Sequence, residues 1–352
     1  MSTIFGVIGI NDRSTFLNTV GQAEVFTTIN DYATATQAEL DRIYGVFVQE
    51  QTTNHSERYY LPGGGMMQSG TNRTRPGAVK PTGYWDVAYP IDQGDDQLAW
   101  DRITYAYMTA GQADAAIRGI AERYKNWKRN LILTALLHGA TRTVNDQLWG
   151  SLTIQPLANG DAVLYPPVIG TATEATATNY VGSNYAASAI SDTNNPFRDI
   201  IKPKLRSRFG NGRIVAWINS NQTAKVSGLT SFASNPPQYV NVGANTATAS
   251  ADGAISGPGN FIGATDNVAI FEWDWVPDGY IFAEDLDQPA PLKQRVDVPA
   301  ELRGFKLVAQ QQEYPLNDSF WQAREGYGVG NRLNGVAVQL TASTSYTAPT
   351  GY

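Results

Sequence analysis

Apolar and polar positions change rhythm along the chain, and each change marks an element. From Ile103 onward, apolar or aromatic residues recur every three or four positions, at Tyr107, Ala110, Ala113, Ile117, Ile120, Tyr124, Trp127 and Leu131. That spacing places them on one face of a helix. The pattern runs to Leu137 and stops at His138-Gly139, which reads as a C-terminal cap. Asp92, Asp95 and Asp96 stand ahead of it, where the positive end of a helix favours acids. Unbroken, the helix would be about 60 Å long at 1.5 Å per residue. Gly111 and Gly119 are the points where it could split or bend.

The flanking stretches follow other periods. Arg58-Tyr59-Tyr60-Leu61 and Gly83 to Tyr89 read as two strands of a long hairpin. Its tip, with Gly63, Gly64, Gly65, Gly70, Pro76 and Gly77, is flexible and mildly basic. Upstream, Thr36 and Glu39 form a capping box for a short helix over Gln37 to Tyr44. Residues 150–195 have almost no charge and read as loops with short strands, and 233–260 as a second such loop. Asn195-Pro196 opens a helix through Leu205 that Pro203 must bend or interrupt. Arg213 to Asn219 is a buried-type strand, after which Ser220 or Asn221 starts a short helix. Later strands are predicted at 267–273, 280–283, 305–311 and 336–340, with a turn at Pro277-Asp278-Gly279. The polar tail from Thr341 to Tyr352 is expected to fray. No fixed-period repeat is present.

Composition narrows the chemistry. The 352 residues are 42% hydrophobic but only 16% charged, against roughly 25% charged in an ordinary soluble domain. So uncharged a surface suits extensive burial against other protein. The net charge of −6 argues against a dedicated nucleic-acid binder, which shows a basic footprint. With no cysteine, disulfides, thiolate metal sites and cysteine nucleophiles are excluded, and two histidines make a multi-histidine metal centre untenable. The longest apolar run, Leu131 to Leu137, is far short of the ~20 residues that span a bilayer. The start of the chain lacks the basic region and cleavage site of a secretory leader, so a soluble protein with no membrane partner is expected.

Candidate chemical groups have simpler readings. No phosphate-loop or nucleophile-elbow motif is present, and Gly63-Gly64-Gly65 lies in a hairpin rather than before a helix. His55 is read as a polar residue at a strand start and His138 as a helix C-terminal cap. Asp92, Asp95, Asp96 and Asp101 lack the glycine and alternation of a calcium loop. Glu284, Asp285 and Asp287 read as a solvated turn. Two basic groups, Arg118 to Arg129 and Arg198 to Arg213, read as salt-bridging faces toward a neighbouring subunit. No catalytic, cofactor-binding or metal-binding residue is assigned.

The order of parts is the stronger signal: arm, long hairpin, long helix, polar loop-rich unit, strand-rich return. Three phrases sharpen it. They are Tyr124-Lys125-Asn126-Trp127 with Leu131 to Gly139, Gly210 to Ser220, and Pro277 to Ala283 with Glu325-Gly326-Tyr327-Gly328-Val329. In these the chain resembles the major capsid protein of tailed bacteriophages, the Hong Kong 97-like fold that encapsulin shells also use. The resemblance implies an α+β subunit with an N-terminal arm at 1–54 and an extended loop at 55–96. It further implies a peripheral domain with the spine helix at 97–159, an axial domain at 160–289, and return strands and tail at 290–352.

It also implies a virion structural protein, not an enzyme, self-assembling in the host cytoplasm into pentamers and hexamers of an icosahedral shell. Such a shell would enclose double-stranded DNA that it contacts only non-specifically. Scaffold, portal and decoration proteins are the implied further partners; no charged scaffolding segment precedes Thr27, so a separate scaffold or unaided assembly is expected. Some members of the family cross-link through a loop lysine. Lys80 is the loop's one lysine, and it reads as an ordinary surface residue, with cross-linking as the alternative. Two other functions compete: an encapsulin-type compartment, and a secreted β-rich carbohydrate-binding protein or hydrolase suggested by the 8 Trp and 18 Tyr.

Overall fold

The computed structural model describes residues 22–60, 84–101, 104, 107–171, 173–234, 257–313 and 316–352. The chain divides into two compact units. One comprises 1–45, 91–132 and 295–326; the other comprises 46–90, 133–294 and 327–352.

In the first unit, the strand Leu316–Val329 lies between Gly304–Glu313 and Asp92–Asp101, antiparallel to both. Register pairs Gly304 with Arg324 and Asp92 with Glu325. The strand at Asp92–Asp101 overturns the expectation that Asp92, Asp95 and Asp96 head a helix. Its exposure alternates: Asp92, Gly94, Asp96 and Leu98 are half-buried, and Gln93, Asp95, Gln97 and Ala99 are exposed. That is the period of a strand with one covered face. The 14-residue strand Leu316–Val329 that completes this pairing was also missed, because its polar residues hide the alternation.

The long helix is real but shorter than the pattern suggested. It runs Ala110–Leu137, 28 residues, or about 42 Å, and neither Gly111 nor Gly119 breaks it. Tyr107 lies before it and is 72% exposed, and Ile103 lies outside the described residues. A capping box sets its start. The Thr109 hydroxyl accepts from the Gln112 N–H at 3.4 Å, and the Gln112 side chain accepts from the Thr109 N–H at 3.0 Å. Ala113, Ile117, Ile120, Ala121 and Tyr124 form its buried stripe.

A second helix, Gln22–Tyr44, replaces the short one expected at Gln37. Thr36 is not its cap but an interior residue, buried on one face with Ala33, Leu40 and Tyr44. The residues ahead of Thr36 continue the helical face, so the capping-box spelling has no terminus to cap. The Gln37 side chain instead accepts from the Phe305 N–H at 3.0 Å, tying this helix to the sheet.

The second unit is built on a seven-stranded sheet. Its centre is Ile214–Ile218, antiparallel to Tyr280–Asp285 and parallel to Val268–Glu272. Both faces are covered, which is why residues 214–218 form an unbroken buried run. On one face Ile214, Ala216, Ile218 and Ile281 pack against the helical residues Phe197, Ile201, Leu205 and Val226. On the other, Trp217 meets Phe47 at 4.6 Å between ring centroids and Phe282 at 6.1 Å. Asn195 caps the predicted helix by accepting from Phe197 and Arg198 N–H groups. The disturbance expected from Pro203 appears as a π turn over Phe197–Ile201, immediately before the α-helix Lys202–Phe209. The next helix, Ser220–Ser227, is capped by Asn219.

The tail does not fray. Gly182 N–H donates to Thr344, Asn184 N–H to Ser343, and the Tyr280 hydroxyl to Thr347. Tyr346 is anchored by its hydroxyl to the Leu137 carbonyl at 2.7 Å. Gly182 is required there, since any β-carbon would collide with the Ser343 carbonyl. Polar composition misled because these bonds run through the backbone. Among the described residues no helix is long and apolar enough to cross a membrane.

Candidate functional site

The ribbon of Ser56–Tyr60 and Tyr84–Ala88 has the predicted pairing, with Arg58 opposite Asp86 and Tyr60 opposite Tyr84. Alternation gives it two unlike faces. The inner face carries Glu57, Tyr59, Trp85 and Val87. Tyr59 stacks on Trp85 at 5.5 Å, and Trp85 meets Tyr165 at 5.6 Å. The Glu57 carboxylate accepts from Tyr59, from Tyr89 and from the Lys293 ammonium at 2.9 to 3.1 Å. Burial pushes the Glu57 acid up, but these donors and the Lys293 charge outweigh it and hold the pKa at about 2. At the root, Ala88 packs with Leu152 and Ile154 of the Arg142–Asp146/Gly150–Ile154 hairpin, whose second strand is one of the short strands expected in 150–195.

The outer face is uncovered. Tyr60 is 69% and Tyr84 58% exposed. Arg58 grips Asp86 with two hydrogen bonds of 2.6 and 2.7 Å while its guanidinium lies 4.2 Å from the Tyr84 ring centre. An amphipathic, aromatic surface of this kind is suited to contact with protein. The tip between the strands, with Lys80 and its cross-linking alternative, lies outside the described residues. Nearby in sequence, His55 stacks on Trp149 at 4.1 Å and 10°, beside the exposed Leu148.

The candidate chemical groups do not converge. His55 has no hydrogen bond to an acid or hydroxyl among the described residues, and His138 Nδ1 lies 3.2 Å from the Tyr352 backbone oxygen, to which it donates. No group of three or more metal-ligating side chains is found among the described residues. Glu284 and Asp285 correct the solvated-turn reading: both are 1% exposed, on the strand Tyr280–Asp285. Neither oxygen of Glu284 has a hydrogen-bond partner among the described residues. Burial first, and the Asp285 charge second, push its pKa well above the usual carboxylate range.

The two basic groups are also corrected, since many of their charges are answered within the chain. Arg118 pairs with Asp114, Arg123 with Asp96, and Lys125 with Glu122. Lys128 is fully buried between Asp41 and Glu325. Arg198 pairs with Asp199 and Arg213 with Asp287. Arg118–Asp114 and Lys125–Glu122 are i,i+4 and i,i+3 neighbours on one helix, whereas Lys128 and Glu325 are 197 residues apart in sequence.

A long helix, antiparallel strands at 92–101, 304–313 and 316–329, a two-faced ribbon and a seven-stranded sheet carrying short helices make an α+β fold. It is the fold of tailed-phage major capsid proteins. No family model matches the sequence, and no curated protein does. Among solved structures, a chain from Mycobacterium phage Patience matches with TM-score 0.68 at 19% identity, over 97% of this chain and 94% of that one. A chain of the bacteriophage PhiM1 mature capsid matches with TM-score 0.52 at 10% identity, over 84% and 86%. A chain of the Ralstonia phage GP4 capsid gives 0.50 at 13%, over 88% and 91%.

Proposed function

We propose that the chain is a major capsid protein, a non-enzymatic subunit that self-associates into hexamers and pentamers of an icosahedral shell around double-stranded DNA. Its place is the virion, after assembly in the host cytoplasm. The observation that carries this reading is the fold shared over 97% of the chain with the phage Patience structure. The ribbon supports it, because a two-stranded element with exposed Tyr60 and Tyr84 gains most by lying on another molecule.

On this reading the arm is 1–54, the extended loop 55–96, and 97–159 carries the spine helix. Residues 160–289 form the axial domain, and 290–352 the return strands and tail. An encapsulin-type shell shares the fold; the phage origin of the neighbours favours the virion. The fold counts against a secreted β-rich carbohydrate-binding protein. DNA is contacted non-specifically, in keeping with the net charge of −6. Negative-stain microscopy and sedimentation of purified protein test the reading. Closed particles or ring-shaped capsomers are expected. A monomer that stays monomeric at high concentration, across salt conditions and with co-expressed scaffold, overturns it.

A further inference from the structure

A cavity of about 580 Å³ opens beside the edge strand Tyr180–Gly182 of the seven-stranded sheet. All of its lining residues belong to the second unit. Its volume falls within the roughly 300–1,000 Å³ of small-molecule sites. One wall is helical: Ile200, Pro203, Lys204, Ser207 and Arg208 recur at the spacing of a single helix face. The facing wall is formed by 176–179 and Val181.

Two cations reach from the helical wall to the other. Lys204 Nζ donates to the Thr178 carbonyl at 2.8 Å, and Arg208 Nη2 donates to the Ala175 and Thr176 carbonyls at 3.2 and 3.1 Å. Thr176 and Thr178 themselves line the cavity, so both charged ends stand at it. Their acceptors are neutral. Partial burial lowers the pKa of each cation, and no carboxylate acts against it. Asp199 is the one acid of the wall among the described residues. It is already held by Arg198 through two hydrogen bonds of 2.7 and 3.0 Å. The cavity therefore carries positive charge without a counter-ion, beside the apolar Val168, Val181, Ile200 and Leu333. Partly desolvated cations gain most from an ionised acceptor, and the apolar wall suits a hydrocarbon body.

We propose that this cavity binds a small organic anion, with its carboxylate or phosphate group between Lys204 and Arg208 and its apolar part against Val181, Ile200 and Leu333. The site lies within one chain, so the proposal goes beyond the shell reading and does not depend on it.

Titration of the full-length protein with naphthyl phosphate, naphthoate and uncharged naphthol, read by calorimetry and by the shift in Tm, tests it. Saturable binding of at least one anion with a rise in Tm is expected, the tighter of the two identifying the preferred oxyanion, and naphthol should not bind. Lys204→Gln removes the charge and keeps a side-chain donor; it is expected to weaken anion binding about fivefold. Lys202→Gln changes a cation of the same helix that lies outside the cavity wall, and the affinity should not change. Equal binding of naphthol, an unchanged affinity in Lys204→Gln, equal losses in the two lysine variants, or no binding of either anion at millimolar concentration each overturns the proposal.

Discussion

Glu325 in the first unit and Glu284 in the second are each 1% exposed, yet they are held in opposite ways. Glu325 accepts from the Tyr124 hydroxyl at 2.9 Å and from the Lys128 ammonium at 3.0 Å, and Lys128 reaches Asp41 at 2.6 Å. Three elements, the Gln22–Tyr44 helix, the long helix and the strand Leu316–Val329, thus meet at one buried cation. Among the described residues Glu284 has no hydrogen-bond partner on either oxygen, and its carboxyl is favoured in the neutral form by burial and by the adjacent Asp285. Burial alone therefore does not decide how an acid is accommodated. The presence of a counter-charge does.

Substitution at the paired site should have the largest effect. Lys128→Ala strands Glu325 without its cation, and a loss of about 3–5 kcal/mol is expected in urea unfolding of the unassembled chain. Replacing Lys128 and Glu325 together with methionine should recover much of it, because the charge then left behind, on Asp41, is a third exposed and reaches water. If the double variant is as unstable as Lys128→Ala, the pair matters by shape rather than by charge.

At the unpaired site the effect is one of pH. The folded pKa of Glu284 lies above its unfolded value near 4.5, so folding takes up a proton between the two. Stability from this group is greatest below 4.5 and declines as pH rises through that window. Glu284→Gln should cost less than about 1 kcal/mol at low pH and flatten the decline of Tm above pH 4.5. A Tm profile with an unchanged slope would show that Glu284 is ionised in the folded protein.

Glu57 supplies the opposite sign. Its pKa is depressed from 4.5 to about 2, so its stabilising contribution is present above 4.5 and lost as pH falls from there toward 2. In Glu57→Gln the ribbon should be less resistant to proteolysis at neutral pH, and acid should weaken it less than it weakens the native chain. The smallest effect is expected from His55→Ala, below about 1 kcal/mol and without loss of particles in negative stain. Loss of particles from that change alone would reveal a role for the His55–Trp149 stack in assembly.

Elements with a strong local rhythm were legible in the sequence. The ribbon, the body of the long helix, the buried strand at 214–218 and its capped neighbours all appear where their periods place them. What misled was polar sequence whose order comes from pairing at a distance. Asp92–Asp101 is a strand because Leu316 to Glu325 lies alongside it, and the tail is ordered because Gly182, Leu137 and Tyr280 bind it. For the candidate site, the aromatic strands of the ribbon were readable, while the partner of Glu57 was not, because Lys293 stands 236 residues away in sequence.

The amino-acid sequence by itself determined the order of hairpin, helix and strand-rich return and excluded cysteine chemistry, because composition and periodicity are properties of the chain alone. Only the tertiary structure decided which polar residues are inside. Lys128, Glu325, Glu284 and Asp285 are all buried, and nothing in their neighbouring residues distinguishes the paired acid from the unpaired one. Their electrostatic state depends on contacts across some 200 residues of chain, such as Lys128 with Glu325, and only folding brings those groups together.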